Sequence, residues 1–152
     1  MSMWSDIQAF HERFLLPQNE VPSVPDVEMF AFRFKFMHEE LEEFREAVGG
    51  NDVGKAFDAL IDLVYVAMGT AYIMNLPWDD GWAEVQKANM MKMRAKKVSD
   101  STRGSMYDVV KPKGWVPPDR MLCSVLIQHE HKLLIDKFRK SSEEPQKEVA
   151  NG

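Results

Sequence analysis

An all-α fold follows from three features of the sequence. Apolar residues recur at helical spacing in five stretches, no strand-like alternation extends beyond a few residues, and Pro, Gly and Asn punctuate the stretches. The 152 residues, 45% of them hydrophobic, suffice for one domain with a workable core. The expected organisation is a single helical domain over residues 1–140 and a polar, disordered tail over 141–152.

The elements follow in order. Ser5 and Gln8 read as a capping box with Ser5 as N-cap, opening a short helix that carries Ile7, Phe10 and Phe14 and ends near Leu16 before Pro17. Residues 17–25 hold three prolines and form a loop. Residues 26–48 form the second helix, acidic at its start and followed by Gly49 and Gly50. Met29, Phe30, Phe32, Phe34, Phe36 and Met37 leave it few polar faces, so burial on several sides, or a dimer interface, is expected. Asn51 is expected to cap a third helix over 52–74, stopped by Asn75 and Pro77. A fourth, amphipathic helix is expected over 79–97, then an irregular loop over 98–118 and a fifth helix over 119–140.

Composition excludes several classes. A net charge of -5 with no dominant basic patch argues against a nucleic-acid binder. The lone Cys123 rules out a disulfide framework and a cysteine zinc site. The longest uncharged run, residues 63–78, is short for a membrane span, holds Gly69, Asn75 and Pro77, and directly follows Asp62; it reads as a buried helix. No basic start followed by an apolar run marks a signal peptide. A soluble cytoplasmic protein, in the host cytoplasm if viral, is the expectation.

The chain is organised around residues 37–62. Glu39, Glu40 and Glu43 lie on the second helix, and Asp58 and Asp62 on the third. Residues three or four apart share a helix face, so each set projects its carboxylates in one direction. The Gly49–Gly50 break folds the two helices into an antiparallel pair, and facing carboxylates form a cage for a hard cation. Glu42 and Glu46 read as solvated. Asp58 and Asp62 stand in the apolar run FDALIDLVYVA, where buried carboxylates need partners and few basic residues are near in sequence. All-oxygen ligands suit Mg²⁺ or Mn²⁺. A ferritin-like di-iron site is excluded, because no histidine has Glu or Asp three residues before it. His129 and His131 read as surface residues. Mg²⁺ usually meets substrate phosphates, which points to phosphoanhydride chemistry. Asn89 and Lys92, three apart, and then Lys87 are the candidate phosphate contacts. Gln8, His11 and Phe14 are candidates for reading a base. Lys111, Lys113 and Trp115 belong to a loop that either closes over the site or acts as a proline-pinned clasp.

HEELEEF followed by DALIDLVYVAMGTA resembles the MazG-like, all-α nucleoside triphosphate pyrophosphohydrolases, whose relatives include dimeric dUTPases, dCTP pyrophosphatases and phosphoribosyl-ATP pyrophosphohydrolase. FHERFLLP, the 33–44 run, ANMMK and DVVKPKGWVPPD are similar to a bacterial and viral subgroup labelled Cof-like or phosphoribosyl-ATP-pyrophosphohydrolase-like. The resemblance spans about residues 5 to 120. It implies a helical bundle assembled as an intertwined dimer or dimer of dimers. It matches Glu40 and Glu43 to the first metal-binding pair, Glu39 to an extra glutamate that is a ligand or the base orienting water, Asp62 to the final aspartate, and Asn89 and Lys92 to phosphate contacts. A strict Glu-x-x-Asp would place glutamate at 59; this chain has Ala59, with Asp58 one residue earlier. The implied reaction is hydrolysis of a (deoxy)nucleoside triphosphate to monophosphate and pyrophosphate, with dGTP as the leading substrate. Phosphoribosyl-ATP hydrolysis and a non-catalytic nucleotide-binding module of the same fold remain as alternatives.

Overall fold

The first three helices start where a side chain accepts from backbone N–H groups that have no partner within the helix. The computed structural model describes residues 2–143. Helix α1 (Met3–Arg13) is capped by Ser2, whose hydroxyl accepts from Ser5 N at 3.2 Å while Ser5 Oγ accepts from Ser2 N at 2.9 Å. The capping box therefore sits three residues earlier than the Ser5–Gln8 reading and is closed by a serine. The helix ends at Arg13 rather than near Leu16, because Leu15 turns into the left-handed region at φ 50°. Asp26 caps α2 (Val27–Gly49), and Asp52 caps α3 (Val53–Ile73). Asn51 is not the cap of α3; it takes φ 54° in the tight turn between the two helices.

Helices α2 and α3 pair most extensively, and both bury residues at seven-residue steps: Arg33, Glu40 and Ala47 on α2, with Ala59, Val66 and Ile73 on α3. That period keeps one seam of each helix against the other. The seam is tied by Arg33, whose Nη2 donates to Val66 O at 2.6 Å and whose Nε donates to Thr70 Oγ1 at 3.0 Å. Helix α1 crosses α3, packing Ile7 against Met68 and Tyr72. Trp4 stacks on Trp78 at 6.1 Å, and Trp78 on Trp82 at 6.4 Å, a ladder from α1 onto the next helix.

Asn75, at φ 54°, ends α3, and its Nδ2 donates to Asn19 O at 2.9 Å and Glu20 O at 3.1 Å. Its Oδ1 lies 3.1 Å from His129 Nε2, so His129 is a half-buried tie and not a surface residue. Helix α4 (Trp78–Met90) is shorter than the 79–97 expectation. Met93–Arg94 instead form β1, which pairs antiparallel with β2 (Val109–Val110), and one 3-10 turn lies between them. Trp115 Nε1 donates to Ala88 O at 2.8 Å and fastens the following loop to α4, the clasp arrangement. Helix α5 (Asp119–Glu143) packs on α4 and runs past the expected boundary at 140. The rest of the expected tail, 144–152, lies outside the described residues.

Part of the apolar surface of α2 and α3 is exposed within one chain. Phe30, Phe34, Leu41 and Val48 form an exposed stripe on α2, and Phe57, Ile61 and Val64 another on α3. Within one chain, α2 is buried along the Arg33–Glu40–Ala47 seam and half-buried at Met29, Phe36, Met37 and Phe44 beside it. Helix α3 is long and apolar enough to cross a membrane by length and composition. It nevertheless carries Asp58 and Asp62 and spends one face on α2 and α1.

Candidate active site

The carboxylates gather where α2 and α3 face each other. Glu40 occupies the seam and is 8% exposed, whereas Glu39, Glu43, Asp58 and Asp62 are solvent-exposed. The burial expected for Asp58 and Asp62 therefore does not hold within one chain: their neighbours in sequence are apolar, but they lie off the covered seam. Ala59 is 2% exposed on that seam, where the helices approach and a small side chain fits.

Glu40 reports on the cluster electrostatically. Its carboxyl is raised above the usual value, first by burial and then by Glu43, Asp62, Glu39 and Asp58 in that order. Among the described residues no cation pairs with Glu40, Glu43, Asp58 or Asp62. Lys35 lies 3.5 Å from Glu39 on the exposed side, and Arg45 pairs with Glu42. Five carboxylates thus converge on one region, and the four around Glu40 disfavour its ionisation. Among the described residues no three acidic, histidine or cysteine side chains close into a ready-made cation cage. In kind the donors still fit a hard divalent ion, since all are carboxylate oxygens. Such an ion would supply positive charge to phosphate groups and make a water easier to deprotonate.

A cavity of about 190 Å³ opens beside this cluster, lined by Glu40, Asp62, Arg33 and His11 with Phe10, Phe36 and Tyr65. His11 is 2% exposed and its Nδ1 has no hydrogen-bond partner. Burial, then the neighbouring Arg33 charge, holds its pKa below the ordinary histidine value, so it is neutral at pH 7. Gly69 makes room for both residues: a Cβ there would lie 2.9 Å from His11 Nε2 and 3.0 Å from Arg33 Nη2. Larger cavities exist elsewhere, but the one between α4 and α5 is walled by Leu76, Trp82, Val85 and Leu126 and offers no chemistry.

Of the first-helix candidates, His11 lines the cavity; Gln8 does not, and Phe14 is exposed just beyond α1, packed on Phe10 at 4.8 Å. The fourth-helix candidates stand apart. Lys87 is paired with Glu84, and Asn89 is exposed one residue before the end of α4. Lys92 lies beyond the helix, its ammonium 5.6 Å from the Trp115 ring, with Lys111 4.6 Å from the same ring. None of these lysines is among the charges that perturb Glu40. Sequence reasoning missed Arg33 as a site residue. Its signal was a lone arginine in MFAFRFKFM, seven residues before Glu40 and therefore on the same helix face.

The sequence model of phosphoribosyl-ATP pyrophosphohydrolase matches residues 7–89. The match begins on α1 at Ile7, ends on α4 at Asn89, and contains the whole carboxylate cluster and the adjoining cavity. No curated protein matches the chain. With the matched stretch covering more than half of the sequence and the fold all-α, the chain belongs to the phosphoribosyl-ATP pyrophosphohydrolase family, nucleotide pyrophosphohydrolases of the MazG-like superfamily.

Proposed function

We propose that this protein hydrolyses a (deoxy)nucleoside triphosphate to the monophosphate and pyrophosphate, with dGTP as the leading substrate. The observation that carries the reading is Glu40: a buried carboxylate facing four others, itself without an ion-pair partner among the described residues. Such an arrangement destabilises the free protein and suits a site completed by divalent cation and polyphosphate. Glu40, Glu43, Asp58 and Asp62 hold Mg²⁺ or Mn²⁺ in this reading, and Glu39 or Glu40 orients the attacking water. Water adds to one phosphorus of the chain, the bridging P–O bond breaks, and the proton passes to a carboxylate. Asn89, Lys92 and Lys87 contact phosphate, and Gln8, His11 and Phe14 lie towards the base.

The exposed stripes on α2 and α3 support a homodimer or homotetramer, since contiguous apolar helix faces mark protein contacts. An oligomer would also allow Lys87 and Lys92 of one copy to reach the carboxylates of another. Phe34→Glu should lower the molar mass measured by sedimentation; an unchanged mass would remove the α2 stripe from the interface. A single domain acting in the cytoplasm on free nucleotides, without nucleic acid or membrane, completes the reading.

The test is a substrate panel: each dNTP, dUTP and the NTPs with Mg²⁺ and then Mn²⁺, products resolved by ion exchange. Monophosphate plus pyrophosphate from one nucleotide is the expected outcome, while diphosphate plus phosphate would contradict the chemistry. The matched family's own description favours a second reading, phosphoribosyl-ATP, which belongs in the same panel.

A further inference from the structure

The cavity beside the carboxylates has the makings of a selective pocket, and its two most unusual groups have no role in holding a cation. Arg33 is buried, yet it forms no ion pair among the described residues, although the buried Glu40 lines the same cavity. Two of its five N–H groups are used, by Val66 O and Thr70 Oγ1, and Nη1 makes no hydrogen bond among the described residues. A guanidinium on a cavity wall with donors to spare is available to an acceptor that enters the cavity. His11, nearly fully buried, leaves Nδ1 unpaired on the same cavity. Phe10, Phe36 and Tyr65 supply flat aromatic surface, and about 190 Å³ takes a ring system rather than a whole nucleotide. In the absence of a divalent cation phosphate is a poor occupant, because Glu40 and Asp62 share the lining and would repel it. A ring with two adjacent acceptors on one edge matches a guanidinium fork, and among nucleobases that edge is the O6/N7 side of a 6-oxopurine.

We propose that this cavity is the base subsite, that it takes a 6-oxopurine such as guanine or hypoxanthine, and that Arg33 and His11 read the edge of that base. The proposal rests on the nucleotide reading above and deepens it. Gly69 belongs to the same device, since its missing side chain lets His11 and Arg33 approach α3.

The experiment has two arms, so that this proposal and the activity can fail separately. In the first, deoxyguanosine, deoxyinosine, deoxyadenosine, thymidine and pyrophosphate are titrated into the full chain in EDTA by calorimetry. Binding of deoxyguanosine and deoxyinosine about 10-fold or more tighter than deoxyadenosine supports the subsite, even if no triphosphate is turned over. Equal binding of all nucleosides, or Arg33-dependent binding of pyrophosphate alone, overturns it. In the second, kcat/KM is compared for dGTP, 7-deaza-dGTP and dATP. Wild type should lose about 10-fold or more on removal of N7 or on replacing O6 by an amino group. Arg33→Lys, which keeps the charge and loses the fork, should bring the dGTP-to-dATP ratio towards one. Because a ratio is read, a general loss of folding in that variant cannot mimic the result, and the 7-deaza comparison needs no variant. Turnover of dGTP with no discrimination among the three substrates overturns the subsite and leaves the hydrolase reading standing.

Discussion

Asp108 and Glu40 are both covered carboxylates in this chain, and their surroundings are opposite. Asp108, just before β2, accepts from Ser101 Oγ at 2.6 Å, Arg103 Nη1 at 2.7 Å and Val109 N at 2.9 Å. Those partners, the Ser101 hydroxyl first, hold its carboxyl below the usual range. Glu40 accepts no hydrogen bond among the described residues, and burial with four acidic neighbours pushes it up. A carboxylate that the fold satisfies is building structure; here Asp108 pins the hairpin. One that the fold leaves repelled is waiting for something the fold does not contain.

The largest effect should come from breaking the unsatisfied cluster. Outer partners of metal ligands typically cost about 10–100-fold when mutated, so Glu40→Gln or Asp62→Asn should lower kcat/KM by about 100-fold or more. Unchanged turnover in both would sink the cation assignment. Asp108→Asn, by contrast, should leave the substrate profile alone and lower the melting temperature, as read by circular dichroism.

The same pair predicts opposite pH behaviour without divalent cation. Asp108 has a folded pKa below its unfolded one, so its stabilisation is present above about pH 4 and is lost as pH falls through the folded value. Glu40 has a folded pKa above its ordinary 4.5, so the folded state binds the extra proton and stability falls as pH rises through that window. Urea titrations of Glu40→Gln across pH 4–7 should show that downward slope removed and the cation-free protein stabilised near neutrality. A slope identical to wild type would mean that Glu40 is compensated after all.

Smaller effects sharpen the comparison at its edges. Gly69→Ala forces a Cβ against His11 and Arg33 and should cost about 1–3 kcal/mol in chemical denaturation. Trp115→Phe loses one hydrogen bond to Ala88 O and should cost about 1 kcal/mol, leaving the α2–α3 seam unaffected.

The α2–α3 hairpin was legible because helical period and the Gly49–Gly50 break are local signals, and the five acidic positions followed from spacing alone. Which of them is buried was not legible. An apolar context such as FDALIDLVYVA surrounds every face of a helix, and only the partner helix decides which face is covered; Glu40 won that place, and Asp58 and Asp62 did not. The end of α4 was missed because β1 has two residues, too few for alternation, and exists through its pairing with Val109–Val110 far along the chain. Ser2 and Asp52 displaced Ser5 and Asn51 as caps because neighbouring polar residues compete for the same backbone donors. His11 was read as one member of an aromatic helix face; its separation from Gln8 and Phe14 depends on where α1 crosses α3.

The tryptophan ladder gives this fold an optical signature of its own. Trp4, Trp78 and Trp82 stack in sequence, while the fourth indole, Trp115, sits alone beneath two lysine ammoniums. Coupled transitions in the stacked trio should give an exciton couplet in ultraviolet dichroism that vanishes if α1 lifts from α4. The isolated indole should answer to neighbouring charge instead. Two events at opposite ends of α4, docking of the first helix and a change of charge around Trp115, are thereby written into separate spectral channels of one unlabelled molecule.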